Sequence, residues 1–304
     1  MENKTKGYYV NLLIICITAL ICFVAVITFS NYKDIPSWSD IYAAVFGEEE
    51  PDTKSDYIRF IDVGQGDSIL ITSNGRHALV DFGNQSDFGS ELLNALEGYG
   101  VKELDCVILS HYDKDHVGGA AKVIRGIKTH YALLPEQDDR TAQDFDDILY
   151  ALENGKTEVS FAKAGAVVNV GDCRITVLNY SREEKNSNDR SVVLMAELNG
   201  IKTLLTGDAG KDIELKMLED GIRVDCDIYK AAHHGSRNSN CKEFVTAASP
   251  EYAVISAGAN QYGHPHDEVM QILKEANAKI YRTDRSGDIE FNITNGIITV
   301  GTEY

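Results

Sequence analysis

The stretch "SHYDKDHVGG", residues 110–119, sets two histidines and two aspartates within six consecutive positions and closes on two glycines. It follows the apolar run "ELDCVIL", so these polar side chains leave the end of a buried strand rather than a solvated face. Extended backbone would point His111, Asp113 and Asp115 to one side. His116 joins them if the chain turns there into a helix, and Gly118 and Gly119 permit the close packing such a turn needs. Imidazoles beside carboxylates suit zinc, manganese or iron, and an oxygen-rich set widens the choice toward manganese. The bland alternative is a polar loop with coincidental histidines; the adjoining strand and glycines weigh against it.

Working outward, three more stretches carry similar chemistry. "LLTGDAG" places Asp208 after the apolar run "IKTLLTG", where a lone aspartate is most often a helix cap. "KAAHHGS" places His233, His234 and Ser236 after "DIY". Adjacent histidines on an extended chain point opposite ways, so one faces a site and the sequence leaves open which. "QYGHPH" carries His264 and His266 in a Gly/Pro loop after "YAVISAG", where a histidine is by default merely exposed. Each alone is weak. Together they all follow apolar strands, and strand tips at one sheet edge converge. The set suffices for two cations about 3.5–4 Å apart sharing a carboxylate.

The order of elements supports that convergence. Three short β-rich runs span "YIRFIDVGQGDSILITSNGRHALVDFG", broken by turn signals at Gly-Gln-Gly-Asp and Ser-Asn-Gly-Arg. Helices are expected at "SELLNALEGYG", "HVGGAAKVIRGI", "AQDFDDILYALENG", "KDIELKMLEDG", "CKEFVTAAS" and "HDEVMQILKEAN". Between them lie strands at "HYALLPE", "EVSFA", "CRITVLNY", "SVVLMAEL", "IKTLLTGD", "DCDIYKAAHHG" and "YAVISAG", and "KIYRTDRSGDIEFNITNGIITV" ends the chain in strands. Strand-rich blocks alternating with single helices suit an α/β sandwich, two sheets face to face with helices outside.

Composition narrows the function. The 304 residues, 43% hydrophobic, are ample for a packed core. A formal net charge of −18 excludes a broad basic footprint for duplex nucleic acid, although a local metal site reverses the field where it sits. Six cysteines without a CxxC pair argue against a Cys-type zinc site. Cys106, Cys173 and Cys226 fall in apolar runs and read as buried thiols.

"LLIICITALICFVAVITF", residues 12–29, carries no charge and is long enough to cross a bilayer core. Lys4 and Lys6 before it favour an N-terminus inside. "VITFSNY" is a poor cleavage site, so an uncleaved anchor is favoured over a signal peptide; both readings export the rest. The expected organisation is 1–30 anchor or signal segment, 31–56 linker and 57–304 hydrolase domain, in a single-pass membrane protein with its catalytic domain extracytoplasmic, or secreted after cleavage.

With these residues in place, the chain resembles the metallo-β-lactamase superfamily, whose hallmark is H-x-[HD]-x-D-H after a strand. More narrowly it is similar to the stand-alone ComEC-like (competence, DNA-uptake) metallo-hydrolase domain. "FIDVGQGDSILI", "LVDFGN", "LSHYDKDHVGG", "NDRSVVLMAELNGIKTLLTGD", "KAAHHGS" and "SAGANQYGHPHDEV" match that pattern in order, from about Tyr57 to Val300. The resemblance implies an αββα sandwich of two mixed β-sheets flanked by helices. It also implies two divalent metal ions, zinc or manganese: His111 and Asp113 hold the first, Asp115 and His116 the second, Asp208 bridges, and His233 or His234 completes the second site. Asp81 would be the strand-end aspartate that orients the histidines from behind. One departure stands out. Many hydrolases of the superfamily have a further histidine before the bridging aspartate. Here the only histidine between His116 and Asp208 is His130, too early in the chain, and Asp189 of "NDRS" is the candidate to stand in its place.

The implied chemistry is metal-assisted hydrolysis by a hydroxide held between the metals. Asp115 would orient it, and His264 and Ser236 would touch substrate or leaving group. The expected substrate is a phosphodiester, single-stranded or short DNA. The alternatives are a small-ester hydrolase of the phosphorylcholine esterase or lactonase type and a non-catalytic accessory that binds DNA or cell wall. Oligomeric state is left open.

Overall fold

The computed structural model describes residues 55–84, 88–136, 143–179, 181, 183–184 and 186–304. The expected membrane segment and all of the expected linker but residues 55–56 lie outside the described residues; no described helix is long and apolar enough to cross a membrane.

Two sheets form the body. The first has eight strands in the order β15-β14-β1-β2-β3-β4-β5-β6. These are β1 (Tyr57–Phe60), β2 (Ile69–Ser73), β3 (Arg76–Val80), β4 (Glu103–Ile108), β5 (Lys128–Leu134), β6 (Glu158–Phe161), β14 (Ile289–Thr294) and β15 (Ile297–Thr302). The second has seven, β13-β12-β11-β10-β9-β8-β7. Its members are β7 (Val167–Val170), β8 (Cys173–Asn179), β9 (Val193–Leu198), β10 (Ile201–Leu205), β11 (Ile228–Lys230), β12 (Tyr252–Ile255) and β13 (Lys279–Arg282). Both sheets are mixed: β3 to β6 are parallel, β10 to β13 are parallel, and the remaining pairs are antiparallel.

Both faces of each sheet are covered, and the strand sequences show why. Along β2 and β3, Ile69, Ile71, Ala78 and Val80 enter the core between the sheets, whereas Leu70 and Leu79 face outward against helices. On β12, Tyr252 and Val254 point inward while Ala253 and Ile255 pack outward. Near-continuous apolar strands are what two-sided burial demands, at about 1.5–3 kcal/mol for each large side chain removed from water. Helices α1 (Phe88–Gly98), α3 (Ala120–Gly126) and α4 (Gln143–Gly155) cover the first sheet through Leu92, Leu96, Val123, Ile148 and Leu152. Helices α5 (Lys211–Glu219), α6 (Lys242–Ala248) and α7 (Asp267–Glu275) cover the second through Ile213, Met217, Phe244, Val269 and Leu273. The layering is αββα, as expected.

Five expectations are corrected. "HVGGAAKVIRGI" is not one helix: α2 (Lys114–Val117) stops and α3 restarts after Gly118-Gly119. The "AAHHG" segment is not extended, because β11 ends at Lys230 and a 3₁₀ turn spans Ala232–Gly235. "VVNV" forms β7, and "TDRS" forms the one-turn helix α8 (Thr283–Ser286). Finally, the strand tips that carry the candidate ligands belong to two sheets rather than one edge, since β3 and β4 lie in the first and β10, β11 and β12 in the second. Parallel strands deliver their C-terminal ends to a common side, and face-to-face packing brings the two sets together.

Candidate metal centre

Asp81 follows β3 directly, in the left-handed region at φ 59°. Its carboxylate accepts the Ser110 backbone N–H at 2.8 Å and the Ser110 hydroxyl at 2.6 Å, pinning the tip of β4. It also receives His116 Nδ1 at 2.8 Å. With Nδ1–H donated there, the His116 Nε2 lone pair faces Asp208 Oδ1 at 3.3 Å. His111 is fixed the same way one step removed: its Nδ1 donates to Ser110 Oγ at 3.0 Å, whose proton goes to Asp81. Its Nε2 then lies 3.9 Å from Asp208 Oδ2 and 3.7 Å from Asp113 Oδ2.

The two adjacent histidines separate in role. The His234 Nδ1–H donates to the Ser256 carbonyl at 3.0 Å, which turns Nε2 toward Asp115 Oδ2 at 3.3 Å and Asp208 Oδ2 at 3.8 Å. His234 is 1% exposed. His233 receives Asn188 Nδ2 on its Nδ1 at 3.4 Å and approaches Asp208 Oδ2 at 3.7 Å from the open side. Both have positive φ, at 51° and 53°. The left-handed turn, not strand alternation, is what aims both imidazoles at Asp208. Asp113 and Asp115 depart from the expected alternation as well: Asp113 precedes α2 and Asp115 lies inside it.

These side chains have burial without partners. His111 Nε2, His116 Nε2, His234 Nε2, Asp208 Oδ1 and Asp67 Oδ1 are all buried and make no hydrogen bond. Three lone-pair nitrogens and carboxylate oxygens are costly to desolvate unsatisfied. Groups of three within 4.8 Å of one another form from His111, His116 and Asp208, from Asp115, His116 and His234, and from Asp67, Asp208 and His234. The donor set fits divalent cations, with Asp208 common to two of the groups.

The carboxylates and imidazoles act strongly on one another: burial lowers His234, but Asp208 and Asp67 outweigh it and raise it. Burial pushes Asp208 upward, but His116, His234 and His111 outweigh it and hold the carboxyl well below its usual range. Burial also raises Asp115, yet the neighbouring imidazoles, His234 Nε2 at 3.3 Å and His116, bring it down to about 2. His116 is desolvated but raised by Asp208 and Asp81, while His111 is lowered by burial and by His116. His264 is pushed down to about 4 by burial and by His233, His234 and His266.

The remaining expectations fare differently. Asp189 joins none of the ligand groups among the described residues: its Oδ1 accepts the Gly210 N–H at 3.1 Å, because the 3₁₀ turn Asn188–Arg190 aims it at the loop after Asp208. Ser236 is 1% exposed, and its hydroxyl accepts the Asn238 N–H at 3.3 Å, so it serves the turn rather than a substrate. His264 lies beside His233, with ring centroids 5.3 Å apart, and is stacked on Tyr262 at 5.6 Å. His130 is exposed and paired with Glu103 at 3.0 Å, away from the cluster.

Sequence reasoning missed Asp67 and Lys230. Both are 1% exposed and ion-paired at 2.9 Å, and Asp67 also faces His234 Nδ1 at 3.5 Å and His116 Nδ1 at 3.9 Å. By sequence alone "GQGD" reads as a turn, and Lys230 as part of a strand. A lysine closing an apolar strand, needing a buried anion, was the available signal. Gly66 is what allows the approach: a Cβ there would sit 2.3 Å from the Asp115 carbonyl, which accepts the Asp67 N–H at 3.1 Å. Gly207, at φ 52°, similarly lets the loop carrying Asp208 pass between Ser110 and Ser191.

From Asp208 and His233 a cleft of about 330 Å³ opens outward, bordered by Lys211, Arg237, Asn186, Asn188 and Asn238.

Comparison with known proteins places this geometry in context. The family model described as the metallo-beta-lactamase superfamily matches residues 61–259. ComE operon protein 3 of Bacillus subtilis is 31% identical over 279 residues, covering 85% of this chain and 35% of that protein. Competence protein ComA of Neisseria gonorrhoeae is 31% identical over 245 residues, 77% of this chain and 32% of that one. This chain thus spans about a third of the length of these curated relatives. Among solved structures, CmlA, a diiron β-hydroxylase from Streptomyces venezuelae, superposes with a TM-score of 0.57 at 14% identity, over 79% of this chain and 54% of that one. That likeness shows the fold alone.

Proposed function

The chain belongs to the metallo-β-lactamase superfamily, and from that premise we propose that it is a metal-dependent phosphodiesterase or nuclease acting on single-stranded or short DNA. The observation that carries the reading is the convergence of unsatisfied, buried imidazole and carboxylate atoms on Asp208, beside an open cleft. His111, Asp113 and Asp208 would hold one divalent cation; Asp115, His116, His234 and Asp208 would hold another. Asp67, Asp81, Asp113, Asp115 and Asp208 gather around this centre, where the Lys230 ammonium pairs with Asp67, and so carboxylate-rich a setting suits divalent cations. When bound, the ions supply Lewis acidity and a nucleophile at neutral pH.

The chain's own residues do the rest. Asp115, held ionised by His234, is placed to accept a hydrogen bond from the attacking water and orient it. His264, neutral at physiological pH because its pKa lies at about 4, offers a substrate oxygen an imidazole N–H and is not a reservoir of imidazolium protons. Asp81 and Ser110 keep the His111 and His116 lone pairs pointed at the centre. Selection of DNA draws on the competence relatives, and the formal charge of −18 favours a thin, flexible strand over a duplex. We place the domain outside the cell membrane, carried by the apolar segment 12–29.

The test is cleavage by the zinc- or manganese-loaded protein. Bis-p-nitrophenyl phosphate and a single-stranded oligonucleotide should be hydrolysed, with activity lost on chelation and in Asp208→Asn. Turnover of lactones or choline esters without either phosphodiester would replace this reading with the small-ester one.

A further inference from the structure

The cleft beside the metal centre is lined by Asp208 and His233 and also by two cations, Lys211 and Arg237. In a chain of net charge −18 such a pairing next to an anion-handling centre is against the general trend. The two cationic segments are tied together. The Lys211 N–H donates to the Asn238 carbonyl at 2.9 Å, and the Arg237 N–H donates to His266 Nδ1 at 3.2 Å. Lys211 opens α5, while Arg237 follows the turn that presents His233 and His234. Both therefore adjoin, in sequence, segments that present candidate ligands.

The carboxylates around the cleft do not cancel them. Asp208 is turned into the imidazole cluster, and Asp189 accepts the Gly210 N–H at 3.1 Å. Asp212 also lines the cleft, and Lys211 Nζ lies 3.7 Å from Glu268 in an exposed contact of little worth. Asn186, Asn188 and Asn238 add neutral polar lining. A cleft of about 330 Å³ is at the lower end of small-ligand sites and suits one nucleotide rather than a duplex.

We infer that this cleft is a subsite for a second, non-scissile phosphate of a nucleotide chain, held by Lys211 and Arg237 one nucleoside away from the phosphodiester at the metal centre. The inference rests on the phosphodiesterase reading and sharpens it. Arg237 offers a planar fork that pairs two phosphate oxygens, and Lys211 adds a point charge. Substrate length is then read in this cleft, so that a nucleotide with phosphates on both sides of its sugar is preferred to one with a single phosphate.

Isothermal titration of the zinc-loaded full chain with thymidine 3′,5′-bisphosphate, thymidine 5′-monophosphate and inorganic pyrophosphate tests this. The bisphosphate is expected to bind about tenfold or more tightly than the monophosphate. The double variant Lys211→Gln/Arg237→Gln should bring that ratio close to one, and Asp212→Asn should tighten the bisphosphate. Equal affinities for the two nucleotides in the unaltered protein would overturn the subsite, and that comparison needs no variant to fold. Persistence of the full preference in the double variant, or pyrophosphate binding as tightly as the bisphosphate, would also overturn it. DNA cleavage without a bisphosphate preference removes the subsite and leaves the phosphodiesterase. A preference lost in the double variant, with no phosphodiester ever cleaved, does the reverse.

Discussion

His233 and His234 are neighbours in sequence and opposites in environment. His234 is fully enclosed, with its tautomer set by the Ser256 carbonyl, whereas His233 is reached from the cleft and is braced by Asn188. His234→Ala should therefore lower affinity for zinc or manganese by at least about tenfold, and His233→Ala should cost less. Calorimetric titration of the two variants with the metal alone checks this, and equal losses would refute the assignment. Asp67 belongs to the same scale. Its pairing with Lys230 is buried on both sides, so removing either partner strands a charge inside the protein, which is worse than never having had the pair. In sequence, His111, Asp115, His116 and Asp208, which the fold brings together, stand out because ligand types cluster after apolar strands; Asp113 lies 3.7 Å from His111 but joins none of the groups of three among the described residues. Asp67 was not, since a lone aspartate after Gly-Gln-Gly looks like any turn residue until its lysine partner arrives from 163 positions away.

Among the elements, the short helix α6 depends on a side chain from another helix. Glu214 of α5 accepts the Asn240 and Cys241 N–H groups at 2.7 Å each, capping α6 from outside its own sequence. Burial nonetheless pushes the Glu214 carboxyl from 4.5 up to about 7, against the lowering effect of those two donors. A group raised in this way favours the protonated folded state. Its contribution is fully present below about 4.5 and is lost as pH rises through about 7. Glu214→Gln should flatten that slope in urea unfolding of the metal-free protein. It should also cost about 1–3 kcal/mol, because an amide accepts only one of the two backbone bonds. Hydrophobic periodicity located most of the main helices and strands, whereas "AAHHG" and "DKDHV" read as extended or continuous segments because short turns carry no period of their own.

At the scale of the whole molecule, the centre is a seam. Asp81 and Ser110 come from the first sheet, and Asp208, His234 and the Ser256 carbonyl come from the second. Ions bound across that seam tie the two halves of the sandwich together. Adding zinc at 100 times its Kd should stabilise the fold by about 2.7 kcal/mol, read as a rise in Tm that chelator reverses; an unchanged Tm under saturating zinc and manganese would count against a metal centre here. The sequence by itself determined the layered α/β architecture, the identity of most ligand-type residues and their attachment to strand ends, since burial alternation and donor chemistry are local properties. Only the tertiary structure decided that two sheets rather than one edge supply the site, that Asp189 and Ser236 serve loops, that His234 faces inward, and that Lys230 neutralises Asp67. Those outcomes depend on which groups lose water against which partners, and that is settled by packing between segments far apart in the chain.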